Sequence, residues 1–278
     1  MQPPIILEVR RLRMSFRSVQ ALVDVSLDVR VGEIHAVLGQ NGAGKTTLMK
    51  VLAGFYPAKA YQGEIIIAGQ PVVLSAPQHA DRNGIAIVPR RPSTLPNLSL
   101  AENIGIGQWK ASRTLTINRN AMRRQAEEVL RELGVTLNLD TRVSQLDAGR
   151  RQLVALARAV NGRPRLIILD EPTMYATAPA EISQLIRILR LLAGRNTASL
   201  YLTPNPDEAL RVADRITVLR DGTAIGTFER INVDATTLAM AMISNQPGRG
   251  AGADDDEPID GFGGAFRILR FLGVKSRR

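Results

Sequence analysis

The residues best suited to chemistry lie in two short runs. Gly39, Gln40, Asn41, Gly42, Ala43, Gly44, Lys45 and Thr46, followed by Thr47, fit the phosphate-loop pattern. Glycines let the backbone curl so that successive N–H groups and the positive end of a helix face phosphate oxygens. Lys45 adds a point charge, and the Thr46 hydroxyl is a magnesium ligand of the expected kind. About 120 residues later, the apolar run Leu166, Ile167, Ile168, Leu169 opens into Asp170 and Glu171. In an α/β sheet, ligands gather at the C-terminal ends of the strands. Asp170 is therefore the expected holder of magnesium, and Glu171 the expected general base for an attacking water. Together the two runs predict ATP and Mg2+ as ligands.

The elements around these residues agree. The apolar run Ile34 to Leu38 reads as a buried strand before the loop, and Leu48 and Leu52 recur at helical spacing after it, up to Gly54. Alternation through Val23, Val25, Leu27 and Val29 reads as a half-buried antiparallel strand, with further strands at Glu64 to Ile67 and Ile85 to Val88. From Leu100 to about Val160 the period becomes helical, with Met122, Ala126, Val129, Leu130 and Leu133 on one face, so an inserted helical subdomain is expected at about 91–160. Strands return at Leu166 to Leu169, Ala198 to Leu202 and Ile216 to Leu219. Amphipathic helices near Glu181 to Leu192 and Pro206 to Val212 separate them. This alternation predicts an α/β fold with parallel central strands. One domain is expected over 1–245, then a flexible Gly/Asp/Pro linker over 246–264 and a basic amphipathic tail over 265–278.

Composition narrows the chemistry without choosing a partner. There are no cysteines and two histidines, His35 and His79, so thiolate and His-rich metal sites are out and any metal should be a hard cation held by oxygen. The sequence has no apolar stretch of the roughly 18 residues a spanning helix needs, and Met1 to Arg13 carries charges where a secretory leader would be apolar. A cytoplasmic protein is expected. The formal charge of +10 suits nucleic acid, anionic lipid or the cytoplasmic face of a membrane protein, and equally a merely solvated surface.

Three further features resemble the ATP-binding cassette (ABC) family of P-loop NTPases: the helical insert between the two runs, a turn around Gly149 opening a helix from Arg150 about twenty residues before Asp170, and Pro172 and Thr173 after Glu171. The resemblance covers about residues 5 to 244. The runs Asn97 to Asn103, Asn118 to Leu133 and Asp214 to Gly222 further resemble the cassettes of bacterial ribose, xylose and galactose importers. The resemblance implies an ABC-type nucleotide-binding domain with an antiparallel β subdomain, lying peripherally on the inner face of the cell membrane. It implies a second cassette that completes each ATP site with its signature turn, an integral membrane permease and, indirectly, a periplasmic or extracellular sugar-binding protein. Phe16 lies where the family stacks an aromatic on adenine, although a core phenylalanine reads the same way.

Four positions depart from the family pattern. The turn expected as Leu-Ser-Gly-Gly-Gln reads Leu146, Asp147, Ala148, Gly149, Arg150. A carboxylate about 4 Å from a phosphate charge, at an effective dielectric near 20, opposes closure by roughly 4 kcal/mol unless Arg150 or Arg151 compensates. Arg90 stands where a glutamine is expected, either as a solvated side chain or as a contact to the γ-phosphate. Pro204 replaces a histidine, and Thr177 an aspartate. Binding is thus kept better than cleavage. The readings that follow are a cassette with little turnover working beside a more complete one, an active homodimeric ATPase in which Arg90 and Arg150 supply the lost contacts, and a soluble ABC-type protein acting on nucleic acid. The importer-like runs argue against the last.

Overall fold

The computed structural model describes residues 3–107, 118–176 and 178–243. The expected linker and tail, and Thr177, lie outside the described residues. Two compact units divide the described residues, one formed by those up to Pro92 together with 162–243, the other by those within Ser93–Asn161.

The first unit is built on one ten-stranded sheet. The N-terminal strands β1 (Ile5–Phe16) and β2 (Val19–Arg30) pair antiparallel, and β1 pairs in the same sense with β4 (Tyr61–Ile67), which takes the short β5 (Gln70–Val72) on its outer side. Alternation along these strands sends Leu7, Val9, Leu12, Val25, Leu27 and Val29 into the core. The other half of the sheet is parallel. There β3 (Ile34–Leu38) lies between β8 (Ala198–Thr203) and β9 (Arg215–Arg220), and β8 continues through β7 (Leu166–Asp170) to the edge strand β6 (Ile85–Val88). β10 (Thr223–Glu229) pairs antiparallel with β9 and joins the two halves at Thr223 opposite Asp24. Every residue of β3, β7 and β8 is buried, the polar His35, Asp170, Ser199 and Thr203 included, as in central strands of a parallel sheet.

Helices α1 (Lys45–Leu52), α2 (Pro77–Arg82), α6 (Pro179–Ala193) and α7 (Pro206–Val212) lie between these strands, and α8 (Ala235–Met242) follows β10. α1 ends where Gly54 takes a φ of +72°, and a Cβ there would meet the Ala76 carbonyl oxygen at 2.3 Å. Asn205 starts α7 by accepting the N–H groups of Asp207 and Glu208.

The second unit is helical: α3 (Leu100–Gly105), α4 (Arg119–Glu132) and α5 (Ala148–Asn161) pack on one another. A capping box between Ser99 and Glu102 starts α3. The Arg158 guanidinium, whose burial pulls its pKa down to about 10, donates to the carbonyls of Ser93 and Asn103 and to the Asn103 side chain, fixing the segment before α3. The helix expected from Arg150 begins two residues earlier, because the Asp147 carboxylate accepts the Arg150 N–H at 2.7 Å and so serves as its N-terminal cap.

Candidate functional site

β3 delivers the chain to the phosphate loop and α1 leaves it. A Cβ at Gly39 would stand 2.4 Å from the Leu219 carbonyl oxygen, and Gly44, at φ +101°, has Ala21 O at 2.6 Å from the same point. These glycines are therefore required by close backbone approach as well as by conformation. Gln40, Asn41, Gly42 and Thr46 line the rim and are exposed, Thr47 is half-buried, and Gly39, Ala43, Gly44 and Lys45 lie inside.

The Lys45 ammonium is turned inward, donating to the carbonyls of Gly39 at 2.8 Å and Gln40 at 3.1 Å. Burial lowers its pKa, and the charges of Glu171 and Asp170 oppose that fall. Next along the helix, Thr46 Oγ1 donates to Asp170 Oδ2 at 3.3 Å. Asp170 ends β7 at 3% exposure, and its Oδ1 is buried with no hydrogen-bond partner. Desolvation, reinforced by the Glu171 charge, pushes its carboxyl up to about 6, against the pull of Lys45 and Thr46. A buried carboxylate oxygen left unpaired beside a hydroxyl is the donor set a hard divalent cation would complete. Among the described residues no group of three or more His, Cys, Asp or Glu forms a metal cage.

Glu171 follows in the left-handed region, at φ +43°, a costly conformation for a residue with a Cβ. Its N–H donates to Leu202 O at 3.0 Å, fixing the turn against β8. The carboxylate lies between two cations, with Oε1 4.0 Å from Lys45 Nζ and Oε2 3.2 Å from Arg90 Nε. Arg90 is thus paired with the expected general base, and the plain solvated reading of it gives way. β6 and β7 run parallel with Val88 opposite Leu169, so two more steps bring position 90 beside position 171. That neighbourhood was readable in principle, had the adjacency of the two strands been known.

Beyond Glu171, the Thr173 hydroxyl donates to Glu208 Oε1, which also accepts from Tyr201 Oη at 2.6 Å, and the Thr203 hydroxyl donates to Glu208 Oε2. Glu208 thereby ties the segment after Glu171 to the end of β8 and to α7, a role that sequence reasoning missed. Pro204 stands between β8 and the Asn205 cap and offers no donor. Phe16, at the end of β1, packs edge-on to Tyr56 with centroids 5.4 Å apart and rests against the core. In the helical unit, Asp147 Oδ2 pairs with Arg150 Nε at 3.4 Å, and Arg151 Nε donates to Leu146 O at 3.0 Å.

Residues 22–174 match the family model described as ABC transporter. A ribose import ATP-binding protein of Burkholderia pseudomallei is 40% identical over 244 residues, 87% of this chain and 47% of that protein. A xylose import ATP-binding protein of Moorella thermoacetica is 38% identical over 244 residues, 88% of this chain and 48% of that protein. The chain therefore spans about half the length of the curated relatives it matches. Among solved structures, a nucleotide-free ATP-binding cassette from an ABC transporter superposes with a TM-score of 0.74 at 22% identity, covering 85% of this chain and 95% of that one. A dimeric bacterial ABC transporter cassette gives 0.70 at 21%, covering 81% and 99%. At that identity the likeness concerns the fold, and it supports the α/β cassette architecture.

Proposed function

This chain belongs to the ABC transporter family, and from that premise we propose that it is the ATP-binding subunit of a sugar importer, binding ATP with magnesium and coupling cassette closure to a membrane permease while hydrolysing ATP slowly itself. The observation that carries the nucleotide reading is the unpartnered, buried Asp170 Oδ1, next to Thr46 and within the field of the inward-turned Lys45. Thr46 and Asp170 would hold the magnesium ion, which supplies charge neutralisation on the phosphate oxygens. The loop N–H groups up to Thr47, apart from those of Gly39 and Ala43, which donate to Thr203 O and Gln40 O, would hold the phosphate chain with the start of α1, and Lys45 would counter its charge. Phe16, packed edge-on to Tyr56 and only partly buried, would meet the base. Glu171 accepts the proton of the attacking water.

Slow turnover follows from the groups around that base. Glu171 is engaged by Arg90, and Pro204 brings no hydrogen bond to the terminal phosphate. Losing one preorganised contact of this kind costs roughly a hundredfold in rate. The printed names of the relatives, ribose and xylose import ATP-binding proteins, support sugar import, and the dimeric cassette among the solved structures supports a second cassette opposite this one. Such a subunit works peripherally on the inner face of the membrane.

The test is titration of the full chain with a fluorescent ATP analogue, with magnesium and with chelator. Saturable binding, tightened by magnesium, is expected. Absence of saturation at millimolar nucleotide would remove the basis for this function.

A further inference from the structure

We infer that Glu208 is a positioning residue for hydrolysis: by gathering the hydroxyls of Thr173, Tyr201 and Thr203 it fixes the turn that carries Glu171, and so sets the rate of the chemical step without adding to nucleotide affinity. This rests on the role of Glu171 as base in the function proposed above.

The turn needs holding. Glu171 sits at φ +43°, and a residue with a Cβ stays in that region only where its surroundings over-determine it. On the entry side the Glu171 N–H donates to Leu202 O at 3.0 Å. On the exit side the backbone gives no such anchor. Pro172 has no N–H, and the N–H groups of Met174 and Ala176 return to Glu171 O and Thr173 O within the turn itself. Two side chains join this side to other elements: Met174, an exposed thioether against Arg90, and Thr173, whose hydroxyl donates to Glu208 Oε1. The second is the firmer, because Glu208 is itself fixed to β8. Its Oε1 also accepts from Tyr201 Oη at 2.6 Å and its Oε2 from the Thr203 hydroxyl, both residues being fully buried.

The strand it is fixed to lies between the base and the phosphate loop. In β8, Leu202 stands opposite Asp170 of β7 and Thr203 opposite Leu38 of β3, and Thr203 O accepts the Gly39 N–H at 3.2 Å. Glu208 therefore ties the Glu171 turn to the same residue that the start of the loop is bonded to, and the spacing between base and bound phosphate depends on that tie. An acid in the first turn of α7 is also favoured by the helix dipole, but that does not account for the arrangement. Asp207 supplies the same charge in the same turn and is exposed, whereas both oxygens of Glu208 are turned to hydroxyls. Burial, reinforced by the Glu208 charge, raises the Tyr201 pKa well above its ordinary 10, so this hydroxyl remains a donor at the pH of any hydrolysis assay.

The experiment compares the full wild-type chain with Glu208→Ala, Glu208→Gln, Thr173→Val, the Glu208→Ala/Thr173→Val double variant and Asp207→Asn. Each is titrated with a fluorescent ATP analogue in magnesium and followed through a single turnover of radiolabelled ATP with protein in excess. Thermal melts check folding. Glu208→Ala and Thr173→Val should each slow hydrolysis at least about tenfold while leaving the Kd within about threefold. The double variant should be no slower than the slower single one, since both remove the same bond. Glu208→Gln keeps an oxygen for Thr173 and Tyr201 and should come within about threefold of wild type. Asp207→Asn, which takes the same charge from α7, should match wild type. Hydrogen exchange at the Met174 and Ala176 amides, without nucleotide, should quicken at least about fivefold in Glu208→Ala, as expected for one lost hydrogen bond. A wild-type rate in Glu208→Ala, a loss of affinity as steep as the loss of rate, an equal effect of Asp207→Asn, or additivity in the double variant would overturn the inference while leaving the nucleotide site standing. Should Glu208→Ala fold poorly, Thr173→Val decides by the same criteria. If the wild type binds ATP without measurable turnover, the exchange rates decide, unchanged rates counting against the inference. Failure of the wild type to bind ATP would overturn both it and the proposed function.

Discussion

Replacing Lys45 by Met isolates the electrostatic contribution of the phosphate loop. Lys45 is 5% exposed, so Met fills its volume and keeps α1 packed, while the ammonium that faces the loop carbonyls and Glu171 is lost. A unit charge about 4 Å from a phosphate oxygen contributes at most roughly 4 kcal/mol at an effective dielectric near 20, or about a thousandfold in Kd. Two features reduce this. The rim residues Gln40, Asn41, Gly42 and Thr46 are open to water, and Arg90 remains as a second cation. A loss of about ten- to a hundredfold in ATP affinity is the working expectation, equivalent to about 1.4–2.8 kcal/mol. Stability should change little, because the carbonyls of Gly39 and Gln40 lose a donor worth about 1 kcal/mol each while an unfavourable buried charge disappears. The assay pairs a fluorescent ATP titration in magnesium with a thermal melt of the same preparation. A Kd within threefold of wild type, with an unchanged melt, would show that the ammonium does not face phosphate and would refute the reasoning.

Three other outcomes follow from the same geometry. Thr46→Val removes the hydroxyl beside Asp170, so the ratio of ATP affinity in magnesium to that in EDTA should fall by about tenfold or more, read from paired titrations. Gly54→Ala places a Cβ 2.3 Å from the Ala76 carbonyl oxygen at a φ of +72°; a loss of at least about 2 kcal/mol, or roughly 4–8 °C in Tm, should appear in calorimetry. The Arg215 guanidinium grips both oxygens of Asp28, at 2.8 and 3.1 Å, and holds its carboxyl below the ordinary 3.8. A depressed carboxyl stabilises the fold above its unfolded pKa and ceases to as pH falls through its folded pKa, so Tm should decline below about pH 3.8 in wild type and less steeply in Asp28→Asn, measured by melts across pH 2–5.

Much of the scaffold was legible because its residues follow simple periods. The runs from Ile34, Leu166 and Ala198 are mostly apolar, broken by His35 in the first and Ser199 in the last, and became the buried parallel strands β3, β7 and β8, while Val23 to Val29 alternates and became half of an antiparallel pair. Pro206 gave the start of α7 from its fixed φ. Long-range neighbours were less legible. Arg90 and Glu171 are 81 positions apart, and only the pairing of β6 with β7 makes them a pair. Glu208 is one of two acids in the first turn of α7, and nothing local reveals that Tyr201, Thr203 and Thr173 all turn their hydroxyls to it. Periodicity reports which face of an element is buried; it carries no information on which element lies across from it.

Asp147 shows how an unfavourable reading of one residue can change once its local bonds are known. Taken as a bare carboxylate, it would oppose a neighbouring phosphate by roughly 4 kcal/mol. In the structure both its oxygens are engaged: Oδ1 accepts the Arg150 N–H and Oδ2 lies 3.4 Å from Arg150 Nε. Its position at the start of α5 also places the negative charge where the helix dipole favours it, by about 0.3–1 kcal/mol. The pair is exposed, at 58% and 60%, so water and salt screen what remains. The net field at this turn is therefore that of a partly compensated ion pair, and the repulsion expected from the sequence is an upper bound. By contrast, Pro204 itself brings no donor, and beside it Thr203 gives its hydroxyl to Glu208 while Asn205 accepts the α7 N–H groups through Oδ1. Of the departures from the family pattern, the one at Asp147 is the more compatible with the closure proposed for this chain, and the one at Pro204 bears on the slow turnover proposed for it.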